Sequence, residues 1–375
     1  MSNINRRQWL QKSAFTASLL ALGCRTNFEA AAKPFQNGFI QTTPLPLHWN
    51  ENPFGPSPKA VQAVAEVMAK ANRYPDDMVA DLKSILAKKY AVDDSQVLLT
   101  NGSTEILGLV GQQIGFDKGE LVIPFPSFPT MAMFAAGSGA TIKKVPLDKN
   151  NGIDLDQTLA AISDKTKVVF ICNPNNPTST EVDNGALKAF CRAVPKNVLV
   201  FVDEAYIEFS KLGAAGSMIP LVNELSNLMV CRTFSKAYGL AGLRLGYAIA
   251  SKAHIDTLKG KYVGAEFATG WPALVAAKAT MEDTAFIANC IQKNQEGRDI
   301  VYRAFDKWGV GYSASSTNFL YVESKHFVSD VRDKLKAKNI LITKWPDMVD
   351  HIRISISEPA HMTQFVEVVE EFLVG

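Results

Sequence analysis

Lys236 stands in the run Cys-Arg-Thr-Phe-Ser-Lys-Ala-Tyr-Gly-Leu-Ala-Gly-Leu-Arg-Leu-Gly-Tyr, residues 231–247. It follows an apolar stretch and opens a turn rich in small residues, where an α/β fold places its chemistry. A lysine amine becomes a nucleophile when burial and nearby cations lower its proton affinity, which opens Schiff-base chemistry. Thr233, Ser235 and Arg244 around it suit an anion such as a phosphate. Alone, a lysine in such a turn is usually a solvated loop residue, so three further segments decide. Asp203-Glu204-Ala205-Tyr206 ends the apolar run Val198–Val202, where an acid is either a helix cap or the partner of a buried cation. Asn173-Pro174-Asn175-Asn176-Pro177-Thr178 follows another apolar run and reads equally as a plain turn. Asn101-Gly102-Ser103-Thr104-Glu105 joins strand to helix, either as an ordinary cap or as free N–H groups aimed at a ligand.

Strand and helix signals alternate around these segments. The expected strands are Val97–Thr100, Glu120–Pro124, Thr141–Pro146, Lys167–Cys172, Val198–Asp203, Leu228–Thr233 and Leu243–Ala250. Many are apolar on both faces, as strands covered by helices on two sides must be. Helical stretches such as Met78–Tyr90, Thr104–Ile114 and Gly185–Ala193 lie between them. The pattern predicts an α/β fold: a large domain with a mostly parallel seven-stranded sheet covered by helices on both faces. A long helical region over Trp271–Trp308 follows. Strands Asn318–Val322 and His351–Ser357, with helices Phe327–Lys338 and Met362–Leu373, predict a smaller α+β C-terminal domain. The segment Pro44–Pro58, with five prolines, reads as an extended arm. The expected boundaries are a leader over 1–32, the arm over 33–56, the large domain over 57–255 and the small domain over 256–375.

The four segments, in this order, resemble the fold-type-I pyridoxal-phosphate enzymes, and within them the histidinol-phosphate aminotransferase family. Asn50-Glu51-Asn52-Pro53-Phe54-Gly55-Pro56, Arg73-Tyr74-Pro75-Asp76, Pro126-Ser127-Phe128, Thr317-Asn318-Phe319 and Arg353 in Ile-Arg-Ile-Ser support the likeness, which covers residues 45–375. It implies a transaminase that moves an amino group between an amino acid or related amine and a 2-oxo acid. By resemblance, Lys236 forms the Schiff base with pyridoxal 5′-phosphate and shuttles the proton. Asp203 holds the pyridine nitrogen protonated, so that the ring draws off electrons when the Cα–H bond breaks. Tyr206 and Asn176 hydrogen-bond the ring's phenolic oxygen, and Phe128 stacks on the ring. Ser103, Thr104, Thr233, Ser235 and Arg244 hold the phosphate, with Tyr74 reaching it from a neighbouring subunit, which implies a homodimer. Arg353 binds the substrate's anionic group, as a bidentate fork suits a carboxylate or phosphate, and Asn318 and Asn52 complete the substrate side.

Three positions depart from the family. Ser179 stands where the family has glycine, in a turn that calls for positive φ. Thr343, followed by Lys344, stands where the family places a phosphate-binding arginine. Tyr262–Trp271 lacks the family's proline-containing loop. The departures cluster on the substrate side, so the expected amino donor is one other than histidinol phosphate. A decarboxylase or lyase on the same cofactor, and an exported binding protein without catalysis, are the rival readings. A nicotinamide enzyme is discounted, because no G-x-G-x-x-G opens a helix after a strand.

Composition bounds the rest. The 375 residues are 47% apolar and 20% charged, ordinary for a globular chain of two domains. A net charge of +2 gives no basic surface for nucleic acid. The first 32 residues carry +3, from Arg6, Arg7, Lys12 and Arg25 against Glu29, so the remaining 343 carry −1; among these 32 a short apolar stretch and Ala30-Ala31-Ala32 follow Lys12. Charged, apolar and small-residue regions in that order predict an export signal of twin-arginine type cut near Ala32, hence a periplasmic protein. Leu20–Cys24 is a loose lipoprotein box that offers Cys24 as an alternative anchor, and a cytoplasmic protein is the reading if the signal is unused. The five cysteines and five histidines show no metal spacing, and no run of 18 apolar residues predicts a membrane span.

Overall fold

The computed structural model describes residues 44–261, 268–345, 347–348 and 350–373. The export signal, Cys24 and most of the Tyr262–Trp271 loop lie outside the described residues.

Three β-sheets organise the described chain. Strand β1 (Leu45–Leu47) belongs to the arm. Strands β2 (Val97–Thr100), β3 (Glu120–Phe125), β4 (Thr141–Pro146), β5 (Thr166–Cys172), β6 (Leu199–Asp203), β7 (Leu228–Thr233) and β8 (Gly246–Ala250) form one seven-stranded sheet in the order β2-β8-β7-β6-β5-β3-β4. The five strands β3–β7 pair parallel, and β8 is antiparallel to both β7 and β2. That reversal follows from the connection: residues 234–245 return the chain directly beside β7, whereas a parallel neighbour needs a crossover.

The sheet is apolar on both faces because both are covered. Val169, Ile171, Val200, Val202 and Val230 face helices Asp76–Tyr90, Asn184–Ala193 and Trp271–Glu282. Phe170, Phe201, Met229 and Ala248 face helices Ser103–Phe116, Thr130–Gly137 and Lys252–Lys261. Alternate residues of one strand thus enter two different cores, which explains the unbroken apolar runs.

Strands β9 (Phe319–Glu323), β10 (Ile340–Ile342) and β11 (His351–Ser355) build the C-terminal region. Here β9 pairs antiparallel with β11, and β10 pairs parallel with β1. Leu45 and Leu47 join a core of their own with Val322, Ile342, Ile354 and Phe365. The arm is therefore not merely extended: Leu45–Leu47 form a strand paired with the C-terminal region. Pro46 falls between the two inward leucines of a two-stranded sheet, where an edge strand tolerates it.

Two further expectations are corrected. The last strand of the large sheet starts at Gly246, not Leu243, because residues 241–243 form a short 3₁₀ turn and Arg244 turns the chain with φ +54°. The Trp271–Trp308 region is helical as expected, built as two helices parted at Asp283. The helix expected from Phe327 begins at Val331.

Candidate functional site

The carboxyl ends of β5, β6 and β7 lie in register, so that Cys172, Asp203 and Cys231 form one row on one face of the sheet. Asp203 is buried and accepts a hydrogen bond from the Ala205 N–H at 3.1 Å. Burial, and next the neighbouring Glu204, raise its pKa to about 7, against the opposing pull of the Ala205 N–H and Lys236. A carboxyl so held favours a cationic partner on its open side. One residue further along, on the other face, Arg232 is buried with Glu208 at 3.0 Å, Glu204 at 3.6 Å and the Tyr90 hydroxyl at 2.6 Å. This network anchors the ends of β6 and β7 from behind; nothing in the sequence reading singled it out.

Lys236 follows β7 in the turn that precedes β8. Its Nζ donates to the Trp49 carbonyl at 3.0 Å and lies 5.8 Å from the Tyr206 ring. Burial lowers its pKa to about 8, helped by the guanidinium groups of Arg353 and Arg244 and opposed by Glu51 and Asp203. Free amine is therefore present near neutral pH.

Tyr206 packs edge-on against Phe319, with ring centroids 5.1 Å apart. Its hydroxyl accepts from Asn50 Nδ2 at 3.0 Å and from Asn176 Nδ2 at 3.4 Å. Asn176 in turn accepts from Arg353 Nη1 at 2.7 Å. Arg353 Nη2 donates to the His48 carbonyl at 2.7 Å and to Thr343 Oγ1 at 3.4 Å. The guanidinium lies 4.6 Å from the ring of Trp345 and 5.3 Å from that of Phe319. Burial lowers its pKa to about 10, and its Nε is buried without a hydrogen-bond partner.

A second group converges beside the lysine turn. Thr233 Oγ1 donates to Ser235 Oγ at 3.0 Å and accepts from the Ser235 N–H at 3.1 Å. Arg244 Nη1 reaches Ser235 Oγ at 3.5 Å and the Ala241 carbonyl at 3.0 Å. Ser103 and Thr104 open the helix Ser103–Phe116 directly after Gly102, whose φ of +79° and ψ of 160° suit glycine alone. A Cβ on Gly102 would sit 2.5 Å from Arg244 Nη2, and one on Gly246 would sit 2.4 Å from the Ser103 nitrogen. Helix N–H groups, two hydroxyls and a guanidinium thus meet at a place only glycine leaves open, the donor set a phosphate requires.

The remaining expected residues fall as follows. Asn52 Nδ2 donates to the Ala237 carbonyl at 2.9 Å, tying the arm to the lysine turn. Asn318 Nδ2 donates to the Asn50 carbonyl at 3.0 Å, while its Oδ1 is buried and unpartnered. Phe128 is partly buried on the loop that Asn175 fixes through Ser127 Oγ and the Pro126 carbonyl. Tyr74 is 82% exposed and joins none of these hydrogen bonds. Of the departing positions, Ser179 does adopt positive φ, +61°, with its hydroxyl bonded to the Thr178 carbonyl. Thr343 spends its hydroxyl on the His48 carbonyl at 2.6 Å, and Lys344 is exposed. Sequence reasoning missed the His48 and Trp49 carbonyls, Trp345, Ser355 and a role for Asn50. Ser355, two residues beyond Arg353 on one strand face, was the recoverable signal.

The donor set fits pyridoxal 5′-phosphate: a lysine with a weakened hold on its proton, a buried acid, amide and phenol donors, and an anion cradle. The profile of the family "Aminotransferase class I and II" matches residues 42–369. A histidinol-phosphate aminotransferase of Brevibacillus brevis is 37% identical over 90% of this chain and 92% of its own length. One from Shouchella clausii is 38% identical over 88% and 90%. Among solved structures, a protein of Erwinia carotovora atroseptica superposes with a TM-score of 0.83 at 30% identity, covering 88% of this chain and 95% of its own. The histidinol-phosphate aminotransferase of Sinorhizobium meliloti, in complex with pyridoxal-5′-phosphate, gives a TM-score of 0.77 at 26% identity over 87% and 91%.

Proposed function

The chain belongs to the class I and II aminotransferase family, and from that premise we propose how its own side chains divide the work of amino transfer. It is a transaminase whose cofactor is pyridoxal 5′-phosphate. When bound, the cofactor supplies the carbonyl that takes up an amino group and a ring that accepts the electrons of the broken Cα–H bond.

In this reading Lys236 would hold the cofactor through Nζ and, as a free amine, would carry the proton taken from and returned to the reacting carbons. Its weakened hold on a proton suits both tasks. Asp203 keeps a proton on the ring nitrogen, and Tyr206 and Asn176 donate to the ring's phenolic oxygen. Ser103, Thr104, Thr233, Ser235 and Arg244 hold the phosphate. Phe128 covers one ring face. Arg353 binds the donor's anionic group, with Asn318 and Asn52 fixing the arm above it. Tyr74, exposed in one chain, completes the phosphate site of a second copy in a homodimer. The N-terminal segment exports the folded, loaded protein. The observation that carries the reading is the convergence of Lys236, Asp203, Tyr206 and Arg353, from the lysine turn, the end of β6 and β11, on one cluster.

The names of the relatives make histidinol phosphate the first donor to test. The committed hydroxyl of Thr343 and the exposed Lys344 favour a donor with a singly charged anion, an amino acid, as the second. Purified protein is incubated with each donor and 2-oxoglutarate, and glutamate is measured. Glutamate formed by the parent and lost with Lys236→Ala supports transamination. Carbon dioxide released without glutamate would move the chain to the decarboxylase reading.

A further inference from the structure

Tyr206 has one hydrogen to give and room to accept about two. Both acceptor positions are occupied by amide donors, Asn50 Nδ2 and Asn176 Nδ2. The direction of each bond is fixed by the rest of the network rather than by the amides themselves. Asn176 must turn its oxygen to Arg353, which has only donors, so its nitrogen faces Tyr206. Asn50 turns its oxygen to Ser355: Ser355 Oγ accepts from the Asn50 backbone N–H at 2.9 Å and donates its own hydrogen to Asn50 Oδ1 at 2.8 Å. The Asn50 carbonyl accepts from Asn318. Asn50 is 1% exposed with φ +55°, a conformation asparagine tolerates better than most residues. Ser355 is buried and its hydroxyl is bonded only to Asn50 among the described residues, so its hydrogen goes to Asn50 Oδ1 and Asn50 Nδ2 is left to donate to Tyr206.

We propose that Asn50, locked by Ser355, is a positioning residue that forces the Tyr206 hydroxyl to turn its hydrogen away from the arm and toward the reacting ring. The inference rests on the reading that Lys236 carries the cofactor with Tyr206 at its phenolic oxygen. Of the two amides, Asn50 makes the shorter bond and has no competing duty to the substrate-binding arginine. It therefore keeps Tyr206 oriented while Asn176 serves Arg353. A hydrogen bond donated to the phenolic oxygen stabilises its negative charge and weakens the proton affinity of Lys236 Nζ where it is joined to the cofactor. Losing that donor makes the protonated, yellow form persist to higher pH.

The charged and titratable groups facing this site are Asp203 from β6, Arg353 from β11, Lys236 and Arg244 from the lysine turn, Cys172 from β5, and His48 and Glu51 from the arm. All are retained in the variants. Asn50→Asp keeps the shape but replaces the donor with an acceptor, which captures the Tyr206 hydrogen. Asn50→Gly removes the side chain and keeps the positive φ. Tyr206→Phe removes the hydroxyl and sets the ceiling.

The test is a pH titration of the visible absorption of the loaded enzyme, without substrate. The pH midpoint is expected to rise by about one unit with Asn50→Asp, the scale of one hydrogen bond to a charged oxygen, and by less with Asn50→Gly. With Tyr206→Phe already present, Asn50→Asp is expected to add almost nothing. A midpoint unmoved by both Asn50 variants overturns the inference, as does an Asn50→Asp shift that persists in full beside Tyr206→Phe, which would mark a plain charge effect. A parent protein with no visible band would overturn the lysine–cofactor reading itself, and this inference with it.

Discussion

The rate at which cofactor-free protein captures pyridoxal 5′-phosphate reports directly on Lys236. Only the neutral amine attacks a carbonyl, so the rate follows the free-amine fraction. An ordinary lysine, with its pKa near 10.4, is about 0.1% neutral at pH 7.5. With the pKa at about 8, roughly a quarter of Lys236 is neutral there, an advantage of about 200-fold at equal nucleophilicity. The sign is set by burial first, then by Arg353 and Arg244, which disfavour another positive charge. Stopped-flow absorbance across pH 7 to 10 is expected to show capture rising with pH and flattening just above about 8. Arg353→Met, which removes a neighbouring cation, moves that bend to higher pH. Glu51→Gln, which removes the opposing carboxylate, moves it to lower pH. A rate climbing tenfold per unit through pH 10 in the parent would refute the reasoning, because Lys236 would then be a fully hydrated amine.

Two substitutions test the cradle and the anion fork separately. Gly102→Ala puts a Cβ against Arg244 in a conformation that costs a non-glycine residue about 1–3 kcal/mol. Equilibrium dialysis is expected to show cofactor affinity falling about 10- to 100-fold, with circular dichroism unchanged. Arg353→Lys keeps the charge but loses the planar fork and its contacts with the rings of Trp345 and Phe319. Losing one charge-assisted hydrogen bond, about 1.5–3 kcal/mol, raises the donor's KM about 10- to 100-fold, while cofactor affinity stays nearly constant. Equal losses in both quantities would place Arg353 among the cofactor's own ligands instead.

The large sheet, and the strand ends at which Asp203 and Lys236 stand, were legible because their causes are local. Strands such as Val168–Cys172 and Val200–Asp203 are apolar without alternation, and only burial between two helical layers explains that pattern. Asp203 and Lys236 then stand where polar residues interrupt or follow such strands, at the edge where strand ends meet. The arm was not legible for a corresponding reason. His48 and Trp49 meet Arg353 and Lys236 through backbone carbonyls, which every residue type has, so no side-chain pattern marks them. The strand Leu45–Leu47 is three residues long, contains a proline, and pairs with a segment almost three hundred residues away. Its existence depends on tertiary packing that a window of neighbouring residues does not carry.

Ser179 marks the boundary between what a pattern reveals and what it does not. Serine in place of glycine signals a conflict only if the backbone there is left-handed, and it is, at φ +61°. The residue is fully buried. Its N–H is bonded to the Asn175 carbonyl, its carbonyl accepts from the Ser316 N–H and its hydroxyl donates to the Thr178 carbonyl. These bonds hold a conformation that costs an ordinary L-residue about 1–2 kcal/mol, because opening the turn would leave buried polar groups without partners. The same turn delivers Asn176 to Tyr206 and Arg353. A departure that reads as a threat to the site's geometry is therefore absorbed by the backbone, whereas the change at Thr343 is not. Its hydroxyl is spent on the His48 carbonyl, and no rearrangement of hydrogen bonds turns a neutral side chain into a second cation beside Arg353.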